Sequence, residues 1–211
     1  MPDTQTTLVN ARLSFPDIWK AKAIKTKGKE EGEAKFSAQF LLDKEDHAGQ
    51  IKSVKTSILE VAIAKFCKEN TPPKEAKAQI GDMVAKGKLH LCLHEGNTKE
   101  YEGYNDSNMF LSSSSKLRPR IVARDGRTPL AEEDGKPYAG CYVNAVVRLW
   151  AQDNNFGKRI NAELMGIQFV ADGEPFGAAP LADDAFPDLD EGKKKTSERA
   201  EEPDDDDEVP F

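Results

Sequence analysis

The chain has 211 residues, of which 32% are charged and 38% hydrophobic, with a formal net charge of −7. That length suits one domain with extras, and no apolar run approaches the ~18 residues of a membrane span, which argues against an integral membrane protein. Cys67, Cys92 and Cys141 are odd in number and lack CxxC spacing, and residues 1–13 show no signal-peptide pattern, so a disulfide scaffold is disfavoured and a soluble cytoplasmic protein with reduced thiols is expected.

Residues 7–15 alternate, with Val9, Ala11, Leu13 and Phe15 on one side and Leu8, Asn10, Arg12 and Ser14 on the other. This predicts a half-buried strand that ends or bends at Pro16. Residues 19–26 suggest a short second strand, 27–33 a charged glycine-containing loop, and 35–42 a further strand with Phe36, Ala38, Phe40 and Leu42 on one face. The period then becomes helical. Ile51, Val54, Ile58, Val61, Ala62 and Phe66 recur within 44–69, with Asp43 as N-cap and Asn70, Pro72 and Pro73 as the stop. Residues 74–87 carry too weak a pattern for assignment.

Strands follow at 88–94, 107–111 and 116–124, with Ser112 to Ser115 read as a polar loop and Asp125-Gly126 as a hairpin turn. A long alternation at 140–151, a turn at Asn154 to Gly157 and a last strand at 159–170 complete the pattern. The apolar set of that last strand changes face at Gly166, which predicts a β-bulge. From Asp172 onward order is expected to fade. Strands, one helix and then strands, without a βαβ rhythm, predict an all-β fold with one inserted helix. The OB-fold, a barrel of five or more antiparallel strands, has this arrangement, although another small barrel fits the same pattern. The barrel domain is assigned to residues 1–177 and a disordered acidic tail to 178–211.

The charge is segregated. Residues 183–211 hold 13 of the 37 acidic and four of the 30 basic side chains, so the tail carries −9 and the body +2. The chain closes on Asp204, Asp205, Asp206, Asp207 and Glu208, then Val209, Pro210 and Phe211. Five consecutive carboxylates stay solvated, and a terminal Phe beyond them has no evident folding role. The pattern suits a hook: the acids steer, and the ring with its α-carboxylate enters a basic-rimmed pocket of a partner.

Two strands carry candidate binding faces. Opposite the apolar side of 140–151 lie Tyr142, Asn144, Val146, Arg148 and Trp150. Rings with cations are what sequence-independent single-strand binding requires: bases stack and cations follow the phosphates. In 116–124, Leu117, Pro119, Ile121 and Ala123 are expected inward and Lys116, Arg118, Arg120 and Arg124 outward. Such a cationic row favours a polyanion. Trp19, Lys20 and Lys22, the loop rings Tyr101 and Tyr104, and the turn residues Phe156, Lys158 and Arg159 are further candidates. His90, Cys92 and His94 share a strand face but lack a second ligand pair. No phosphate loop, nucleophile elbow or zinc-deaminase signature occurs, so no metal, cofactor or catalysis is expected.

The stretch 138–177, YAGCYVNAVVRLWAQDNNFGKRINAELMGIQFVADGEPFG, resembles the closing half of tailed-phage single-stranded DNA-binding proteins. The shared order is a barrel strand ending in an aromatic, an Asn-Gly turn, a strand with a bulge glycine, and a Phe-Gly segment before an acidic tail. AKFSAQFLLDK before the helix, KLHLCLHEG after it and the hairpin RPRIVARDGRTPL fit the same order. The resemblance implies an OB-fold that coats single strands in replication or recombination without catalysis. It also implies a tail that recruits replication proteins such as a polymerase, helicase or primase. Arg148 and Trp150 match the family's basic-aromatic strand end, and Phe211 with Asp204 to Asp207 its tip. Val209-Pro210-Phe211 is closer to bacterial host tips than to the usual phage ending, so host proteins, phage proteins or both are open as addressees. A homo-oligomer is also left open. The rival reading is a DNA mimic or replisome adaptor acting through its acidic end, for which the Arg118, Arg120 and Arg124 row would have no use.

Overall fold

The computed structural model describes residues 4–23, 32–155 and 157–177. Its frame is a closed barrel. The strands are β1 (Gln5–Lys22), β2 (Lys35–Asp43), β3 (Leu89–His90), β4 (Leu93–Glu95), β5 (Asn108–Ser115), β6 (Arg120–Val122), β7 (Tyr142–Asn154) and β8 (Gly157–Ala171). Antiparallel pairing runs β8–β7–β1–β2–β5, with β4 beyond β5, and a β5–β8 contact closes the circle. A circuit around the wall leaves β1 at Asp17 and passes Ser37, Ser114, Glu163 and Arg148. It returns to β1 at Gln5. Strands so staggered must tilt, as in small closed barrels.

One strand serves both sides of that circuit because its register is broken three times, the last between Asp17 and Lys22. The first irregularity lies between Leu8 and Ala11, where Asn10 adopts φ 55°. Asn tolerates this left-handed backbone, and the Asn10 N–H donates to Asn144 Oδ1 at 2.9 Å. The second lies between Ser14 and Asp17, where Phe15 adopts φ 46°. The two strands expected on either side of Pro16 are therefore one bent strand. The bulges also change its faces: Leu8, Ala11, Leu13 and Ser14 are buried, whereas Val9 and Phe15 are 49% and 43% exposed.

The inserted helix is α1 (Ala48–Phe66), which buries Ile51, Val54, Ile58, Val61 and Ala62 as its spacing predicts. It begins after the expected point. Asp43 caps the preceding turn, with Oδ1 accepting from the N–H groups of Glu45 at 2.8 Å and Asp46 at 3.1 Å. A second helix, α2 (Pro73–Ala85), occupies the unassigned stretch. It buries only Ala76 and Ile80, which is why its pattern is weak. Pro73 suits a first helical turn because its missing N–H has no acceptor there anyway. Both helices stand between β2 and β3.

Three expectations fail locally. Ser112 to Ser115 form strand rather than loop. Ser113 and Ser115 are buried, and the Ser113 hydroxyl donates to the Ala38 carbonyl at 3.0 Å, so small polar side chains fill the wall. The strand expected over 116–124 shrinks to β6, and Leu117, expected inward, is 76% exposed. The sheet is also not wholly antiparallel: β3, β5 and β6 each meet β8 in parallel, at Lys158–Arg159, Glu163 and Gly166–Gln168. The bulge expected in the last strand is present, with Val146 opposite Gly166 and Val147 opposite Leu164. Gly166 also admits β6, since a Cβ there would lie 3.2 Å from the Arg120 carbonyl.

Residues 172–177 return to the barrel. The Tyr138 hydroxyl meets Asp172 and Gly173 at 3.0 Å, and the Phe176 N–H donates to the Ala139 carbonyl at 3.0 Å. Gly140 must be glycine for this clasp, because a Cβ would stand 2.1 Å from the Glu174 carbonyl. The described segment therefore stays attached past the point where order was expected to fade.

Candidate nucleic-acid interface

The predicted residues fall into three groups. The first lies on the outer wall of β7 and β8. Val143, Ala145, Val147 and Leu149 face the core, and alternation turns Arg148 and Trp150 outward. Trp150 is 44% exposed opposite Asn161, and the next outward pair is Gln152 with Arg159. Met165, lifted by the bulge, is 38% exposed, and Arg120 lines the same wall beside Gly166. Arg148 is not free: its Nε donates to Glu163 Oε2 at 3.0 Å. Lys158 has the opposite parity to Arg159, and its ammonium lies 5.1 Å from the Phe66 ring on α1. Phe156 lies outside the described residues.

The second group gathers where β1 leaves the barrel. The Arg118 guanidinium sits 5.3 Å from the Trp19 ring, which itself packs partly on the core. Lys20 pairs with Glu132 at 3.0 Å, Lys116 with Glu33 at 2.7 Å, and Lys22 with Asp17. Lys116, one member of the expected cationic row, and the separate candidates Lys20 and Lys22 thus each have an acidic partner. All three lysines are well exposed, and pairs of that kind contribute about 0–1 kcal/mol, little enough for a phosphate to displace them. Arg124 is exposed on the hairpin, where its carbonyl accepts from Gln168 at 2.9 Å.

The third group is richer in rings than the sequence suggested. Outward positions in one row across the sheet are Tyr142, Arg12, Leu41, Phe110 and His94. Tyr104 packs on this row, buried with Leu41 and Phe110, and its hydroxyl donates to Gln39 Oε1 at 2.8 Å. It is therefore a fixed support and not a mobile loop ring, and burial raises its hydroxyl pKa. Above it stand Tyr101, 57% exposed, and Phe15, with centroids 5.0 Å apart in an edge-to-face contact. The Lys99 ammonium lies 4.8 Å from the Phe110 ring, 5.4 Å from Phe15, 5.6 Å from Tyr104 and 5.9 Å from Tyr101. Desolvation lowers its pKa. Phe176 lies below Arg12 at 4.4 Å, and Arg12 reaches toward Tyr142 at 6.0 Å.

Phe15 and Lys99 escaped the sequence reading. Strict alternation put Phe15 in the core, and nothing in a lone lysine announces a ring of aromatics. Its place between Asn97 and the tyrosines of the same loop was the one available hint. Phe15 holds a left-handed backbone that costs a bulky residue on the order of 1–3 kcal/mol, a cost tolerated most often at binding sites. Tyr142 and Trp150 share an outward face but sit eight residues apart on β7, about 26 Å along the strand. The rings thus form two stations rather than one patch. The tail residues 204–211 lie outside the described residues. No helix among the described residues is long and apolar enough to cross a membrane.

A five-stranded closed barrel with helices inserted between strands is an OB-type fold, and solved structures agree. The single-stranded DNA-binding protein of bacteriophage Enc34 matches with a TM-score of 0.63 at 22% identity, over 87% of this chain and 89% of that one. Its complex with single-stranded DNA matches at 0.64 and 23%, over 83% of this chain and 91% of that one. A single-stranded DNA binding protein encoded by bacteriophage T7 matches at 0.52 and 12%, over 89% of this chain and 100% of that one. Protein p50 of Acyrthosiphon pisum secondary endosymbiont phage 1 is 35% identical over 183 residues, covering 86% of this chain and 92% of p50. The family model described as Enterobacter phage Enc34, ssDNA-binding protein, matches residues 4–198. The chain belongs to that family.

Proposed function

We propose that the chain binds single-stranded DNA without sequence preference, stacking bases on exposed rings and meeting phosphates with Lys and Arg. The observation that carries this reading is the Phe15–Tyr101 pair beside Lys99, two exposed rings on a rigid aromatic floor with a cation between them. Trp150, with Arg120 on the same wall and Arg159 further along it, supplies a second stacking station. The separation suits a strand that touches the barrel at intervals. Bases stack at about 1–3 kcal/mol each whatever their identity, which favours coating over site recognition. The family supports the same reading.

The role that follows is coverage of single strands during phage DNA replication or recombination, in the host cytoplasm and without catalysis. The acidic tail, through Phe211, would hand replication proteins to the coated strand. Titration with oligo-dT at two salt concentrations tests the binding step. Tryptophan fluorescence is expected to be quenched, and affinity to fall steeply with salt as counterions are released. Undiminished fluorescence with no salt slope overturns the reading.

A further inference from the structure

Away from both ring stations, α1, α2 and β4 frame an open groove of about 1060 Å³. Its floor is apolar, with Ile58 and Ile80 buried and Leu59, Leu91 and Val84 partly open. Lys52, Lys55 and Lys77 stand on its rim, exposed and without an ion pair among the described residues. The one acid lining it, Glu95, is held by Lys44 at 2.7 Å. An apolar trough with an unneutralised cationic rim fits an acidic peptide that ends in apolar residues.

The chain carries such a peptide. We propose that this groove receives residues 204–211, DDDDEVPF, of a second copy. Val209, Pro210 and Phe211 would fill the floor, and the five preceding carboxylates would face the lysines. Pro210 restricts the free peptide, which lowers the ordering cost of docking. None of Phe15, Lys99, Tyr101 or Trp150 lines the groove, so the contact would link neighbouring copies without occupying either ring station. The inference thus goes beyond DNA binding and does not depend on it.

Sedimentation velocity on the full chain over a wide concentration range tests the link. Wild-type protein is expected to self-associate, and Phe211→Ala, which removes the tip, or Val84→Glu, which charges the floor, to weaken association at least about tenfold. The double reversal Lys52→Glu with Lys55→Glu should do the same without touching the floor. Mixing the Phe211→Ala and Val84→Glu chains should restore one-to-one pairs, because one retains the groove and the other the tip. Association that survives these substitutions, a mixture that stays monomeric, or a wild type monomeric throughout would overturn the assignment. Oligo-dT binding of the lysine double reversal should stay at the wild-type value. A loss there would put nucleic acid in the groove instead and equally overturn it.

Discussion

The β7–β8 wall and the face over β1, β2, β4 and β5 both present rings beside cations, yet they are built differently. On the wall, Trp150 projects from a regular strand whose alternate residues are buried, and its neighbour Arg148 is held by Glu163. On the other face, Phe15 projects from a bulge with left-handed backbone, and Tyr101 meets the buried ring of Tyr104, which in turn packs on Phe110. A strand supplies one projecting ring per two residues at no backbone cost. A bulge with a packed loop brings several rings to one place, but at the expense of strain.

If that difference reflects function, the two faces should respond unequally to ring removal. Phe15→Ala with Tyr101→Ala is expected to weaken oligo-dT binding by about 2–4 kcal/mol, and Trp150→Ala by about 1–2 kcal/mol. Neither position in the double variant belongs to the buried core, so thermal unfolding should move little. Equilibrium titrations of the three chains under one buffer give the ranking. A larger loss at Trp150 would make the wall the main stacking surface and reduce the aromatic face to a structural cap.

The same contrast governs how much could be read from the sequence. The alternation in 140–151 placed Arg148 and Trp150 outward correctly, and the face change at Gly166 marked a true bulge. Both follow from a regular period or one visible break in it. Phe15 was misplaced because Asn10 and Phe15 each add an irregularity within one strand, and neither interrupts the apparent alternation. The second helix was missed because it buries two residues only, and the serine strand because its wall contacts are made by side chains typical of loops. Lys116 was read with Arg118, Arg120 and Arg124 as a cationic row, and Lys20 as a separate candidate. The acid partners of these two lysines, Glu33 and Glu132, come from distant segments, which no local pattern reveals.

A smaller effect should separate the faces electrostatically. Arg148 is 53% exposed in its side chain but spends its charge on Glu163. Glu163→Gln would release the guanidinium for phosphate and remove a repelling carboxylate. The expected gain in oligo-dT affinity is a few tenths to about 1 kcal/mol at low salt, fading as salt rises. Because the change lies on the wall, it should appear undiminished in the Phe15→Ala, Tyr101→Ala background. A gain that vanishes there would mean that the two stations engage the strand only together.

The gentlest perturbation acts on the clasp beneath the aromatic face. The Lys136 ammonium donates to Asp172 at 2.8 Å and holds that carboxyl below its ordinary value of 3.8, while the same bond raises the lysine above 10.5. A depressed carboxylate contributes stability above its unfolded pKa and loses it as pH falls through the folded value. The raised lysine contributes below 10.5 and loses its part as pH rises through its folded value. The clasp should therefore hold unchanged from mildly acidic to mildly alkaline solution and loosen at either extreme. Hydrogen exchange at the Phe176 amide, corrected for intrinsic rate, reads this directly, since that N–H donates to Ala139 across the clasp. Protection should fall modestly at strongly acidic pH, and Asp172→Asn should reproduce the loss at neutral pH. The Leu149 amide, bonded to the Thr4 carbonyl behind the Trp150 strand, should not follow it. If both amides lose protection together, the clasp is part of the barrel's global unfolding unit and not a local support for the Phe15 and Tyr101 rings.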